Sequence, residues 1–434
     1  MLKRLMITAA LTVAAPALAA DLPDILPLKE RAELEDRWLA ERLETVVPAL
    51  MRENDVDMWI LIAREYAEDP VVETMLDAKN FHARRRTILV FADDGEMVER
   101  MTVSRYGLAG LFEPAWVPED EPDQWARLAE IVAARDPERI AVNVSAQTAL
   151  ADGLTHSQHE ELMSALPETY RERVVAVPEL AIGWLETRTP AEIAAYDDIV
   201  AIAHGLIADA FSDDVITPGE TTANDVRWWL RERVAELKMT VWFHPSVGIW
   251  REGTKDQLSN DTVIQPGDLI WTDFGITYLG LNTDTQQLGY VLKPGEAEAP
   301  TGLKAGLAAA NATQDALTSS FRNGLSGNDI LAATRMKTSA VGLDASIYSH
   351  PLGYHGHGAG PAIGFWDNQE PTPAGDYRLR PMTGWSIELA TTSVVPEWGG
   401  QRVPFRLEQD AIFDGERVDW LDERQTEFYL IASD

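Results

Sequence analysis

The chain has 434 residues, a formal net charge of -33 and no cysteine. That length favours two domains with sizeable cores. The charge repels phosphate backbones, so nucleic acid and anionic membrane surfaces are poor partners, and without cysteine neither thiolate catalysis nor a Cys-ligated metal is available.

Residues 1–20 differ in character from the rest. Lys3 and Arg4 precede an apolar run from Leu5 to Val13, and Ala17-Leu18-Ala19 follows. A positive end, an apolar stretch too short to span a bilayer and a small-residue cleavage site predict a signal peptide. The mature chain is expected to start at Ala20 or Asp21 in the periplasm or an equivalent exported compartment, free of the membrane.

Residues 21–182 read as an α/β domain. Leu34, Trp38, Leu43 and Val46 fall at helical spacing. Strand-like runs follow at 58–63, 87–91, 98–103, 140–144 and 174–177, with helical stretches near 122–134 and 158–166. Nothing in this half carries evident chemistry; His156 and His159 belong to a polar helix face.

Residues 183–434 form the second domain. Thr189-Pro190-Ala191-Glu192 predicts a capping box with proline at the first helical position, and Ile193, Tyr196, Val200, Ala203, Ile207 and Ala210 continue as one buried stripe, closed by Thr217-Pro218-Gly219. A second helix follows Thr222. The run 240–249 reads as a strand with His244 inside. Next, 268–276 and the segment from Thr283 onward read as two arms of a hairpin. Asp is depleted in strand interiors, yet Asp273 and Asp284 each sit in one arm. On facing strands they would lie about 5 Å apart, and two such carboxylates stay ionised only with a cation between them.

Helices are predicted near 303–321 and 327–341. Then comes HPLGYHGHGAGPAIG, residues 350–364, with His350, His355 and His357 among five glycines. Neutral imidazole is the commonest nitrogen ligand of transition metals, and glycine allows close backbone approach. The last strands, 385–395 and 401–413, each carry a misplaced acid, Glu388 and Glu408. A buried unpaired carboxylate is costly, so two Asp, one His and two Glu in strand-like settings predict a shared dinuclear metal site.

The ordered set Asp273, Asp284, Gly356-His357-Gly358-Ala359-Gly360, Glu388 and Arg406-Leu407-Glu408 resembles the metal-binding pattern of the pita-bread superfamily of methionine aminopeptidases, Xaa-Pro aminopeptidases, prolidases and creatinases. The resemblance covers residues 185–431 and implies an α+β chain: a C-terminal pita-bread fold behind a smaller α/β domain of the prolidase and creatinase type. It implies two divalent ions, with Mn²⁺, Zn²⁺ and Co²⁺ equally suited to the donors. Asp273 would chelate one, His357 and Glu388 the other, and Asp284 and Glu408 would bridge them. Two such ions, about 3.5 to 4 Å apart, acidify a bridging water and polarise the scissile carbonyl. Glu388 would carry the proton to the leaving nitrogen, and Arg406, on the face of Glu408, would hold that carboxylate.

Three places depart from the family pattern. Histidines expected about seventeen residues before the first Asp and seven after the metal His are replaced by Asp256 and Gly364, and Gln286-Gln287-Leu288 stands for Thr-Arg-Thr. His355 and His357 both precede a glycine by three, but His357 follows Gly356, as the family's ligand follows a glycine. His355, His350 and His244 are therefore assigned to the substrate side. The expected activity is hydrolysis of a small peptide at an Xaa-Pro bond by an aminopeptidase or dipeptidase. Two other readings remain: a creatinase-like hydrolase of a C–N bond that needs no metal, and a non-catalytic binding domain. Assembly is open, a homodimer being one option.

Overall fold

The computed structural model describes residues 22–433, so the predicted signal peptide lies outside the described residues. Among the described residues no helix is long and apolar enough to cross a membrane.

The first half begins with the helix Leu28–Glu53 and contains a six-stranded sheet in the order Glu113–Pro114, Val98–Thr102, Arg86–Asp93, Met58–Arg64, Ile140–Val142, Val174–Ala176. Its central strand, MWILIAR, is buried at six of seven positions. A strand buried on both faces has no reason to alternate. Apolar clusters lie on both sides of this sheet: Leu43, Val47 and Leu50 of the first helix meet Trp59 and Leu61 in one, and Leu128, Ile131 and Leu162 meet Ile60 and Ile62 in the other. The helix Pro178–Glu186, which was not anticipated, packs in the first of these clusters through Leu180, Ala181 and Trp184.

The second half is a nine-stranded, mainly antiparallel sheet. Its main path runs Asp344–Ile347, Thr383–Val395, Gln401–Phe413, Thr285–Val291, Leu269–Phe274, Ser246–Trp250. One core joins the helices Pro190–Ala210 and Ala223–Glu236 to this sheet, and a second joins Thr301–Thr318 and Gly327–Ala340 to it. Both predicted N-termini are present: Thr189 with Glu192 and Thr222 with Asp225 form reciprocal capping boxes.

Two local expectations change, and two details are added. The first helix of this half ends at Ala210, well short of Thr217, with Phe211 as its C-cap. Only Ser246–Trp250 of the 240–249 run is a strand; the indole N–H of Trp242 donates instead to the carbonyl of Thr283 (2.8 Å), holding that segment across the hairpin. The Gly-rich stretch opens with a short strand, His350–Leu352, paired with Thr383–Val395. His204, on the helix Pro190–Ala210, is buried, and its Nδ1 lies 2.6 Å from Asp422 Oδ2.

Candidate metal centre

Register places the acids. Asp273 is the cross-strand partner of Gln286, Gln286 of Glu408, and Glu408 of Glu388. Directly opposed residues of antiparallel strands share a face, so four polar side chains form a row across four adjacent strands. Asp284 stands one residue before its strand, and Asp273 therefore opposes Gln286 rather than Asp284. The two aspartates meet diagonally. A Cβ at Gly275 would come within 2.2 Å of the Thr283 carbonyl, so only glycine lets the chain close tightly there. The Asp284 amide donates to Asp410, 3.1 Å to Oδ2.

Three sets of candidate donor atoms lie within 4.8 Å of one another: Asp273, Asp284 and Glu408; His350, Glu388 and Glu408; Asp284, His350 and His357. All five sequence-predicted ligands are brought together, with His350 among them. His244 and His355 are not in these groups and do not line the adjoining cavity. His244 lies against Trp228, ring centroids 5.2 Å apart. His355 follows Tyr354, whose ring is held under Arg188 and Arg42, and both His355 and His357 lie in a loop rather than a strand.

The two histidines of these groups differ. His350 is buried, 4% exposed. Its Nδ1 lies 3.1 Å from the Pro351 carbonyl, which can only accept, so Nδ1 carries the proton and Nε2 the lone pair. Nε2 is 3.7 Å from both Asp284 Oδ2 and Glu408 Oε1 and has no hydrogen-bond partner among the described residues. Burial, reinforced by His357, pushes its pKa down to about 3, so it stays neutral. A buried, oriented and unpartnered lone pair facing two carboxylates fits a cation. His357 is exposed and lines the cavity, with Trp242 at 5.2 Å and His350 at 4.8 Å between ring centroids. A Cβ at Gly356 would fall 2.2 Å from the Trp242 ring: this glycine seats the loop on an aromatic wall.

The acids are electrostatically frustrated. Burial pushes Asp273 up to about 7, and burial with Asp273 pushes Glu388 up to about 8. Burial and the neighbouring carboxylates push Asp284 and Glu408 well above the usual range, and burial does the same to Asp410. A divalent ion would reverse these shifts. Two hydroxyl and amide donors relieve the strain: Ser386 Oγ donates to Glu408 Oε1, and Gln286 Nε2 donates to Glu408 Oε2 and Glu388 Oε1, both at 2.7 Å. Arg406 does not hold Glu408; it lies over Trp271, 5.0 Å from the ring centroid, and donates to Gln257 at 3.5 Å. Its charge acts on Asp273 and Glu388.

The cavity, about 500 Å³, is walled by Trp242, Phe243, Trp271, Tyr348 and Trp366 over this acidic floor. Sequence reasoning missed Asp410, though the rule that flagged Glu388 and Glu408 applies to it equally. Ser386 and the aromatic wall gave no signal of their own, and Gln286 only a departure from the family pattern.

The carboxylates and imidazoles gathered on this sheet form a donor set that could hold divalent metal ions. Residues 195–408 match the model of metallopeptidase family M24. Over most of its length the chain shares the fold of an X-Pro aminopeptidase from Thermotoga maritima MSB8, with TM-score 0.63 at 16% identity, covering 88% of this chain and 99% of that one. It is similar also to a Xaa-Pro dipeptidase from Bacillus anthracis (0.60, 16%, 93% and 100%) and a prolidase from Pyrococcus furiosus (0.54, 13%, 87% and 99%). No curated protein sequence matches the chain significantly. The family match supports reading residues 195–408 as a metallopeptidase domain of the M24 type, and the chain as a peptidase by class.

Proposed function

We propose that the chain is an exported aminopeptidase or dipeptidase that cleaves Xaa-Pro bonds with two divalent cations, and that His350, not His357, is the imidazole ligand. The observation that carries the assignment is the orphaned, buried Nε2 of His350, 3.7 Å from Asp284 and Glu408. Asp273, Asp284 and Glu408 would hold one cation and His350, Glu388 and Glu408 the other. With His350 as ligand, the family histidine expected seven residues later is His357, which is therefore present rather than replaced by Gly364. Export rests on Lys3, Arg4, the Leu5 to Val13 run and Ala17-Leu18-Ala19. The Xaa-Pro preference rests on the similar structures, which are an X-Pro aminopeptidase, a Xaa-Pro dipeptidase and a prolidase.

Divalent cations held here supply positive charge that polarises a carbonyl and eases deprotonation of water. The chain's own groups do the rest. Glu388, at the cavity wall, takes the proton of the attacking water and returns it to the leaving nitrogen. His357, whose pKa is lowered by partial desolvation at the cavity, donates a hydrogen bond to the carbonyl oxygen as negative charge develops there. Arg406 is the permanent cation among the described lining residues and receives the carboxylate end of a short peptide. The aromatic wall excludes water and takes the apolar side chains.

The complete donor set argues against a metal-independent hydrolase and a pure binding domain. A screen of dipeptides and tripeptides, with and without proline in second position and with Mn²⁺ added to chelator-treated protein, tests the reading. Cleavage of Xaa-Pro substrates, abolished by chelation and restored by Mn²⁺, is expected. Bound metal without cleavage of any peptide would overturn it in favour of a binding domain.

A further inference from the structure

The cavity wall holds three tryptophans, and the chain itself engages two of them. Trp271 is buried, with its indole N–H 2.9 Å from Gln286 Oε1 and the Arg406 guanidinium over its ring. Trp242 donates to the Thr283 carbonyl at 2.8 Å, and its ring packs against Phe243 and His357. Trp366 differs. It lines the same cavity yet is 76% exposed, and it makes no hydrogen bond, ring contact or cation contact among the described residues.

A single exposed aromatic needs no explanation by itself; the support beneath this one does. Trp366 and Asp367 form a two-residue turn closed by Phe365 and Asn368, whose backbones exchange bonds of 2.9 and 3.0 Å. The side-chain amide of Gln369 accepts from the Ile347 amide at 2.9 Å and donates to the Ile347 and Phe365 carbonyls at 2.8 and 2.7 Å. Phe365 stacks on Tyr348 of the cavity wall, ring centroids 5.7 Å apart. Gly364 has φ +71°, and a Cβ there would fall 2.3 Å from the Ile347 carbonyl, so the segment lies directly on the strand Asp344–Ile347. The chain thus holds an unpartnered indole on a fixed turn at the mouth. A ring placed in advance loses little freedom when another group stacks on it.

What reaches the mouth follows from where the bond is cut. The acids lie on the buried floor, and the first residue of the substrate has nothing before it, so only the leaving part of a peptide can run outward. Two extended residues span at most about 7 Å, and the third is the first that is free to leave the floor for the rim. We infer that Trp366 is a specificity-determining residue, the platform on which an apolar or aromatic third residue of the substrate stacks. The chain is then an aminopeptidase of tripeptides and longer peptides that carry such a residue after the proline. This rests on the Xaa-Pro reading above and deepens it. The indole stands away from the reacting atoms and holds ground state and transition state alike, so its contribution belongs to KM rather than kcat.

Steady-state kinetics of the full-length chain with Mn²⁺ on the tripeptides Ala-Pro-Gly and Ala-Pro-Phe test the idea. The native chain is expected to show a KM about tenfold lower for Ala-Pro-Phe, the range of one good aromatic contact. Trp366→Ala should bring the two KM values within about twofold of each other, with the loss in KM rather than kcat, and Trp366→Phe, which keeps a ring on the same turn, should retain most of the difference. Equilibrium binding of the leaving dipeptides Pro-Phe and Pro-Gly reads the same contact without turnover: the native chain should favour Pro-Phe about tenfold, and Trp366→Ala should not distinguish them. Equal KM values in the native chain, an unchanged ratio in Trp366→Ala, or a loss confined to kcat would overturn the inference and leave the Xaa-Pro reading standing. So would cleavage of Ala-Pro but of neither tripeptide. A native chain that cleaves no peptide would overturn both.

Discussion

Two clusters of buried charge in this molecule behave in opposite ways. In one, Glu192 lies between Arg42 (2.9 Å) and Arg188 (3.3 Å), with all three side chains fully buried. The Thr189 amide and the Tyr354 hydroxyl complete its bonds. Burial works to raise the Glu192 pKa, but Arg42 and Arg188 outweigh it and hold the group below the usual carboxylate range. In the other, Asp273, Asp284, Glu388 and Glu408 are raised, by burial first. Burial alone therefore does not distinguish a structural charge from a functional one. The counter-charge does: the first cluster is complete in the chain itself, and the second is complete only with cations.

The largest effect should come from the histidine that faces the acids. His350→Ala is expected to lower kcat/KM on an Xaa-Pro dipeptide by about 10³-fold or more even with excess Mn²⁺. His355→Ala, outside the cavity, should stay within about threefold of the native rate. Steady-state kinetics of both variants decide this; the reverse order would return the ligand role to the Gly-rich loop.

Removing charge from the complete cluster should cost stability. Glu192→Ala leaves Arg42 and Arg188 buried and unpaired, and is expected to destabilise the chain by about 3 to 5 kcal/mol. Denaturant melts in the presence of chelator measure it. A loss below about 1 kcal/mol would place this cluster with exposed ion pairs instead.

How far these clusters could be read from sequence differs for a physical reason. Asp273, Asp284, Glu388 and Glu408 were visible because an acid inside a strand is rare, and register then put three of them in one row. Glu192 was legible only as a helix cap, because its partners Arg42 and Tyr354 lie 150 and 162 positions away. Helix starts are local chemistry, and the Thr189 and Thr222 boxes formed as their residues predict. From the sequence His350 was placed on the substrate side because its strand is three residues long, too short to show a period, and lies beside glycines that draw attention to His357. What identifies it is a bond to the Pro351 carbonyl and a lone pair without a partner, and neither has a sequence signature. Gln286 was noted only as a departure. A glutamine in a strand says nothing until the chains on either side are known.

Glu186 is an intermediate case. It ends the helix Pro178–Glu186, is 2% exposed, and lies 3.6 Å from Arg380, whose guanidinium is already paired with Glu53. Burial pushes it up to about 8 from an ordinary 4.5, against the pull of Arg380 and Arg188. The folded chain thus holds this proton more tightly than the unfolded chain. Its contribution is full below about pH 4.5 and is lost as pH rises toward 8. Glu186→Gln should remove this slope, gaining about 3 kcal/mol on the native chain between pH 5 and pH 8. Parallel pH–stability curves for the two proteins would place Glu186 with the complete cluster.

The smallest effect has the most informative sign. Asp284→Asn takes one charge from the frustrated row while keeping its shape. The new amide can donate to His350 Nε2, which lies 3.7 Å from Asp284 Oδ2 and is otherwise unpartnered. Because the Asp284 pKa is raised in the folded chain, its ionised form costs stability above the unfolded pKa. In chelator at pH 7 the variant should therefore be more stable than the native chain by about 1 kcal/mol, opposite in sign to Glu192→Ala. Mn²⁺ should invert the order. An ion at about one hundred times its dissociation constant adds about 2.7 kcal/mol to a chain that binds it only when folded, and the variant, lacking a donor that belongs to two of the candidate groups, should gain little. Thermal melts of both proteins with chelator and with Mn²⁺ give the four values needed. If Asp284→Asn destabilises the chelated protein, the row is not frustrated, and charge completeness no longer separates the two clusters.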